Sequence, residues 1–348
     1  MKPSLQTIAE KAGVSTATVS RALNGRAGVN PETRERILAI AGELGYAPNM
    51  AAKGLATSRT YALGLITYER KPQRPINNFP DELMQGVDQE ARRHGYHIIT
   101  TFVNEELMQD AKRLPLFNEQ RVDGMILVGP ALKASFIIQL YSSSVPMVLV
   151  DNVLHETDID TVVCDNVSGT YNVTHHLIEE HNLRRLVFLS GPATWFSSRE
   201  RFQGYAQALG EIREEPCVVF MHDTIMSQGY AAMNKALERY GDLKGVVAVN
   251  DATAFGAIRA CKERGLRVPE DMAVVGFDNV GWSPFHDPPL TTVRMFKRET
   301  GIQAVRHLID KVERDLPSGF LLRLGTEVVV RRSCGCTPSD EFLFQDPV

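Results

Sequence analysis

Ser15, Thr16, Ala17, Thr18, Ser20, Arg21 and Asn24 share the outer face of a short helical stretch whose other face carries Val19, Ala22 and Leu23. A solvated helix face is normally rich in Glu and Lys. This one offers short hydroxyls and a single arginine, so its backbone can approach a nucleic acid closely. Arg21 can fork onto the O6 and N7 of a guanine, and Ala17 or the Thr16 methyl can meet a thymine methyl. Ser15, Thr18, Ser20 and Asn24 suit phosphate contacts or helix capping, which fix orientation without reading sequence. The bland alternative is a generic helical bundle with a basic tint, and the side-chain types on this face favour DNA over it.

The elements that must hold this face are equally short. Leu5, Ile8, Ala9 and Ala12 recur at helical spacing, and Gly13 follows where a helix stops. Ser15 can cap the second helix, which runs from Thr16 to about Leu23. A third begins after Asn30 with Pro31 at its first position and runs through Ile37, Leu38, Ile40, Ala41 and Leu44 to Gly45. A small core of Ile8, Val14, Val19, Leu23, Ile37 and Leu44 then makes a helix-turn-helix unit.

Charge divides the chain in the same place. The whole carries 38 Lys+Arg against 42 Asp+Glu, net −4, which on its face argues against nucleic acid. Residues 1–60 hold eight basic and four acidic side chains, so the remaining 288 residues hold 30 and 38, and +4 sits against −8. The N-terminal residues run directly into a helical pattern without an apolar signal segment, and no apolar run is long enough to span a bilayer, so the expected location is the cytoplasm. Cys164, Cys217 and Cys261 stand singly in apolar surroundings. Cys334-Gly335-Cys336 is the one cluster; no further ligand lies nearby in sequence, so neither metal nor cofactor is expected.

From Tyr61 onward short β-branched runs such as Ala62-Leu63-Gly64-Leu65-Ile66 and Gly124-Met125-Ile126-Leu127-Val128 alternate with amphipathic helical stretches. That alternation predicts parallel sheets covered by helices. About ten strands exceed what one compact sheet comfortably uses, so two consecutive doubly wound α/β subdomains are expected. No phosphate-cradling glycine loop or nucleophile elbow occurs, and Gly191-Pro192-Ala193 lacks the spacing of a dinucleotide fingerprint, so an enzyme is not expected.

Thr7-Ile8-Ala9-Glu10-Lys11-Ala12-Gly13-Val14-Ser15-Thr16-Ala17-Thr18-Val19-Ser20-Arg21-Ala22-Leu23-Asn24-Gly25 and Glu43-Leu44-Gly45-Tyr46-Ala47-Pro48-Asn49 resemble the lactose/galactose-repressor family of bacterial transcription regulators. The likeness extends through Asn250-Asp251, Val274-Val275-Gly276-Phe277-Asp278-Asn279 and Pro288-Pro289-Leu290-Thr291-Thr292-Val293. It implies an all-α helix-turn-helix domain over 1–46, a hinge helix or linker over 47–60, a two-lobed α/β ligand-binding and dimerisation domain of periplasmic-binding-protein type over 61–335, and a tail over 336–348. It further implies a homodimer, tetramer not excluded, on double-stranded operator DNA. The hinge would begin near Pro48 and Asn49 and wedge Leu55 into the minor groove, an unstacking of a few kcal/mol offset by contacts that the bent duplex permits.

The resemblance also places a small-molecule effector between the lobes. Asp151, Asn250, Asp251 and Asp278 each follow a strand, where open parallel sheets bind ligands. Arg201 matches the family arginine that reaches the ligand, and Phe79 could stack on a sugar ring. Carboxylates and a guanidinium suit vicinal hydroxyls, so a sugar is the leading effector class, with a nucleobase-type effector as the alternative. Asp251 is expected to cap a helix instead of touching ligand. Thr224 and Ile225 stand where sugar-binding members often carry an aromatic, a loss that Trp282 could offset. A sugar-binding protein without a DNA role is the competing class, disfavoured by the basic three-helix unit.

Overall fold

The computed structural model describes residues 4–23, 27–46, 54, 57, 59–69, 79–119, 121–155, 157–314 and 316–338; the side chains of 79, 80 and 117 fall outside that description. Asn24, Asn49 and Leu55 also lie outside it. Two compact units are distinguished, Met1–Thr60 and Tyr61–Val348.

The first unit has α1 (Leu5–Ala12), α2 (Thr16–Leu23) and α3 (Pro31–Glu43). Each start is made by a side-chain cap. Ser4 Oγ accepts from the Thr7 N–H at 3.2 Å, Ser15 Oγ from the Thr18 N–H at 3.2 Å, and Asn30 Oδ1 from the Glu32 N–H at 2.9 Å. Gly13, at φ 63°, closes α1 with a backbone that other residues adopt at a cost. Ile8, Val19 and Ile37 are fully buried among Ala9, Ala12, Ala22 and Ala41, with Val14, Leu23 and Leu44 packed at the edge. Arg36 donates to the carbonyl of Ala12, filling an acceptor that the end of α1 leaves open.

The second unit has two lobes. In the first, β1 (Ala62–Tyr68), β2 (His97–Val103), β3 (Gly124–Val128), β4 (Met147–Val150), β5 (Asp160–Cys164) and β11 (Leu321–Leu324) form a parallel sheet in the order β11-β5-β4-β3-β1-β2. Leu63, Leu65, Ile126 and Val148 pack against α4 (Phe79–Arg93) and α11 (Lys297–Arg314). Met125, Leu127 and Leu149 pack oppositely against α6 (Ala134–Tyr141), beyond the single turn α5 (Pro115–Asn118). A strand buried on both faces needs such unbroken apolar runs.

The second lobe has β6 (Leu186–Ser190), β7 (Cys217–Phe220), β8 (Gly245–Ala248) and β9 (Ala273–Val275), parallel in the order β7-β6-β8-β9. Its helices are α7 (Asn166–His181), α8 (Phe196–Glu211), α9 (Met226–Arg239) and α10 (Asp251–Glu263). Helices α9 and α10 touch through glycines: a Cβ on Gly256 would stand 2.0 Å from the Met226 carbonyl oxygen, and one on Gly229 2.3 Å from that of Thr253.

The lobes are interleaved, which corrects the expectation of consecutive subdomains. The chain passes between them after β5, after β10 (Thr292–Met295) and before β12 (Thr326–Val329), and β10 pairs antiparallel with β12 at the junction. Periodicity identifies elements but not their neighbours, and the partly exposed β11 and β12 carry little apolar signal of their own. No helix among the described residues is long and apolar enough to cross a membrane.

Candidate functional site

A cleft of about 370 Å³ opens where β1, β3 and β4 of the first lobe end opposite the loops after β6, β8 and β9 of the second. That volume suits a small organic ligand. Asp151, Arg201, Asn250 and Asp278 all line it, so the structure brings these sequence-identified residues together. The Phe79 side chain lies outside the described residues. Asp151 has φ 56° and Asp278 φ 105°. Non-glycine residues hold such backbone only where the surroundings impose it, and these turns present both carboxylates at strand ends.

Arg201 is held from several directions. Its Nε donates to Asn166 Oδ1 at 2.8 Å and its Nη1 to the Val249 carbonyl at 2.6 Å. Nη1 also lies 3.3 Å from Asp278 Oδ1, and the guanidinium sits 3.7 Å above the centroid of the Phe277 ring. Nη2 meets the Met295 sulfur, a weak acceptor, at 3.6 Å. The strong acceptors are spent on Nε and Nη1, which leaves Nη2 as the edge with donor capacity for a ligand. Asn166 in turn donates to Glu200, which pairs with Arg323 of β11, so the arginine belongs to a network spanning both lobes.

The helix cap expected at Asp251 belongs to Asn250, whose Oδ1 accepts from the Thr253 N–H at 2.9 Å while its Nδ2 donates to the Thr224 carbonyl at 3.0 Å. Asp251 is instead the first residue of α10, fully buried, accepting from the Val280 N–H, the Ser283 hydroxyl and the Thr292 hydroxyl. Burial, followed by the nearby Asp278 charge, pushes its carboxyl up to about 6. It braces the turn that carries Asp278.

Tyr68, Phe102 and Trp195 supply aromatic surface to the cleft, and sequence reasoning missed all three. Trp195 directly precedes α8 in a loop whose direction no periodicity reveals. Trp282 does not line the cleft and is 59% exposed, so it does not replace the aromatic missing beside Thr224. Ser198 was also missed; it lines the cleft, and its Oγ is buried with no hydrogen-bond partner among the described residues.

In the first unit α2 exposes Thr16, Ala17 and Arg21, with Ser15 exposed at its start and Thr18 and Ser20 half-buried. Val19 and Ala22 point into the core. The expected face is therefore continuous over the described residues.

Comparisons with known proteins agree with this anatomy. Residues 61–323 match the periplasmic binding proteins and sugar binding domain of LacI family, and residues 4–49 match bacterial regulatory proteins, lacI family. The chain is 30% identical to the HTH-type transcriptional repressor CytR of Escherichia coli strain K12 over 337 residues, 96% of this chain and 97% of CytR. It is 31% identical to the HTH-type transcriptional regulator CelR of Thermobifida fusca over 336 residues, 95% and 98% of the two chains. The fold is similar to that of the lac repressor dimer bound to operator and the anti-inducer ONPF, with a TM-score of 0.78 and 28% identity over 96% of this chain and 99% of that one. A CelR–cellobiose complex gives 0.71 and 30% over 95% and 99%. With a helix-turn-helix unit, a two-lobed cleft and family matches to both, the chain belongs to the LacI family of bacterial regulatory proteins and is a ligand-responsive transcriptional repressor, not an enzyme.

Proposed function

We propose that this repressor binds a pseudo-palindromic operator as a homodimer and is switched by a sugar in the inter-lobe cleft, acting on carbohydrate-utilisation genes in the bacterial cytoplasm. The observation that carries the effector reading is the pairing of Asp151 and the Arg201–Asp278 couple with the Trp195 ring around one cavity. Carboxylates accept from sugar hydroxyls, the guanidinium edge donates to them, and an aromatic face covers the apolar side of a pyranose. The solved CelR–cellobiose complex shows that a similar protein holds a sugar. A second reading is a nucleobase-type effector, favoured by Tyr68, Phe102 and Trp195, whose rings can stack on a flat heterocycle.

In this reading residues 1–46 read DNA, 47–60 form the hinge, 61–335 sense and dimerise, and 336–348 form the tail. Arg21, Ala17 and Thr16 meet base edges, while Ser15, Thr18, Ser20 and Asn24 orient the helix on phosphates. Asn49 opens the hinge and Leu55 wedges the central step. Dimerisation follows from reach, since one such unit contacts too few bases and a lone hinge helix is too short to be stable. Lobe closure then alters the separation of the two hinges.

The test has two arms. Selection from random duplexes should return two inverted half-sites, and an asymmetric single site would sink the dimer reading. A thermal-shift screen of mono- and disaccharides against nucleosides and free bases should give its largest shift with a saccharide; a shift with bases alone would transfer the cleft to the second reading.

A further inference from the structure

Away from the cleft, two parts of the chain far apart in sequence bring four side chains of metal-binding type together. Helix α7 carries His176 and ends on His181, and the segment after β12 carries Cys334 and Cys336. One ligand atom from each lies within 4.8 Å of all the others. Cys336 Sγ is 3.3 Å from His181 Nε2 and 3.6 Å from His176 Nε2. A tetrahedral zinc ion with Zn–S of about 2.3 Å and Zn–N of about 2.0–2.1 Å has ligand-to-ligand edges of roughly 3.4–3.8 Å. The Cys336–His176 separation matches the sulfur–nitrogen edge of about 3.5–3.6 Å, and the Cys336–His181 separation is about 0.2–0.3 Å shorter than it.

We propose that His176, His181, Cys334 and Cys336 form a tetrahedral transition-metal site, with zinc as the fitting ion. Two thiolates and two imidazoles are a donor set for zinc and not for the oxygen-seeking magnesium or calcium. The four intervening residues between the histidines fall within the spacing common in Cys2His2 sites. Gly335 makes the cysteine pair possible. Its φ is +109°, and a Cβ there would come within 3.2 Å of His181 Cε1 and Nδ1, so only glycine turns the chain sharply enough to set two sulfurs beside the imidazole. An outer layer is also present: the Thr291 hydroxyl accepts from the Arg331 N–H at 2.8 Å and donates to Cys334 Sγ at 3.1 Å, an orientation that supports a thiolate. A surface cavity lined by His181, Cys334, Cys336, Lys244 and Asp271 gives an ion access.

Binding is an exchange in which one Zn²⁺ enters and two thiol protons leave to solvent, with no change of oxidation state. The ion would clamp the C-terminal segment to the end of α7, closing a loop of 155 residues between His181 and Cys336 and stiffening the second lobe. That sequence separation is why spacing gave no sign of the site.

The experiment uses the full chain, purified under reductant, stripped with chelator and titrated with Zn²⁺ or Co²⁺ alone. One ion should bind per chain, with cobalt giving the sulfur-to-metal charge-transfer band and the intense d–d bands of a tetrahedral two-thiolate site. Stoichiometric zinc should raise the melting temperature of the wild type and not of Cys336→Ser. Cys336→Ser and His181→Gln should each weaken zinc binding at least about 100-fold, while Cys217→Ser should bind as the wild type does. Absence of stoichiometric binding to the reduced wild type, or a cobalt spectrum without the sulfur band, would overturn the proposal independently of how the variants fold. So would a Cys334–Cys336 disulfide that persists in reductant and zinc.

Discussion

Arg201 Nη1 lies 3.3 Å from Asp278 Oδ1 with each side chain more than nine-tenths buried, so the cleft floor is a preformed ion pair. A ligand in the proposed effector site would meet donors and acceptors that folding has already oriented, so the ordering cost would fall on folding and not on binding. Arg201→Ala should abolish the ligand-induced thermal shift and, by leaving Asp278 buried without its partner cation, lower stability by about 3–5 kcal/mol. Operator binding below the melting temperature should survive. A retained ligand shift would remove Arg201 from the effector site.

Asp151 tests the opposite wall with less risk to the fold. Its φ of 56° is one that asparagine also tolerates, so Asp151→Asn should keep the backbone turn. Loss of a charged acceptor should weaken effector binding about 10- to 100-fold while the melting temperature of the free protein changes little. Calorimetric titration checks it; equal affinity would mean that Asp151 shapes the cleft without touching the ligand.

Arg21 is the exposed cation on the face of α2 proposed to read DNA. Arg21→Ala should cost about 1–3 kcal/mol on the selected operator and relax preference at one base position. Were the loss the same on random duplex, Arg21 would be a phosphate contact.

The buried carboxyl of Asp251 makes stability depend on pH. Burial and the Asp278 charge raise it from the ordinary 3.8 to about 6, so the folded state holds this proton more tightly than the unfolded chain does. Its contribution is fully present below about pH 4 and is lost as pH rises through about 6, amounting to about 3 kcal/mol. Asp251→Asn lacks that titration. Denaturation midpoints at pH 4.5 and 7.5 should therefore differ more for wild type than for the variant, after the shared contribution of other groups is subtracted; parallel profiles would contradict the assignment.

Gly256→Ala probes the α9–α10 contact. The added methyl would meet the Met226 carbonyl at 2.0 Å, and backbone cannot swing aside as a side-chain tip does. Helix propensity alone favours alanine by about 1 kcal/mol, yet overpacking should win and destabilise by about 1–3 kcal/mol or more. A rise in melting temperature would show that the helices separate without penalty.

What was legible in the sequence was local or set by the ends of elements. The caps at Ser15 and Asn30 and the stop at Gly13 involve neighbours within four residues, so α2 and its exposed side could be drawn from residue types alone. Asp151, Arg201, Asn250 and Asp278 could be gathered because strand ends share one edge of a parallel sheet and because the family likeness supplied Arg201. The one-residue exchange between Asn250 and Asp251 shows the limit: both residues can cap, and only burial and the donors at Val280, Ser283 and Thr292 separate their roles. Trp195, Tyr68 and Phe102 were invisible because loop direction and lobe closure decide what an aromatic faces. The His176–Cys336 cluster needed the path of the final strands, which pattern did not reveal.

The threefold passage between lobes sets the order in which the nascent chain can finish folding. Helix α11 covers the face made by Leu63, Leu65, Val148 and Val162, and β11 completes the edge beside β5, yet both are translated after every strand and helix of the second lobe's sheet. Both lobes are thus completed only near the end of synthesis, since β12 and Ser333, which accepts from the Val274 N–H, close the second after α11 and β11 close the first. The part of the first-lobe face that α4 leaves uncovered waits through more than a hundred further residues, from Cys164 to Lys297. Truncation before residue 297 would remove both α11 and β11 and expose the part of that face they cover, so a chain shortened there is expected to aggregate.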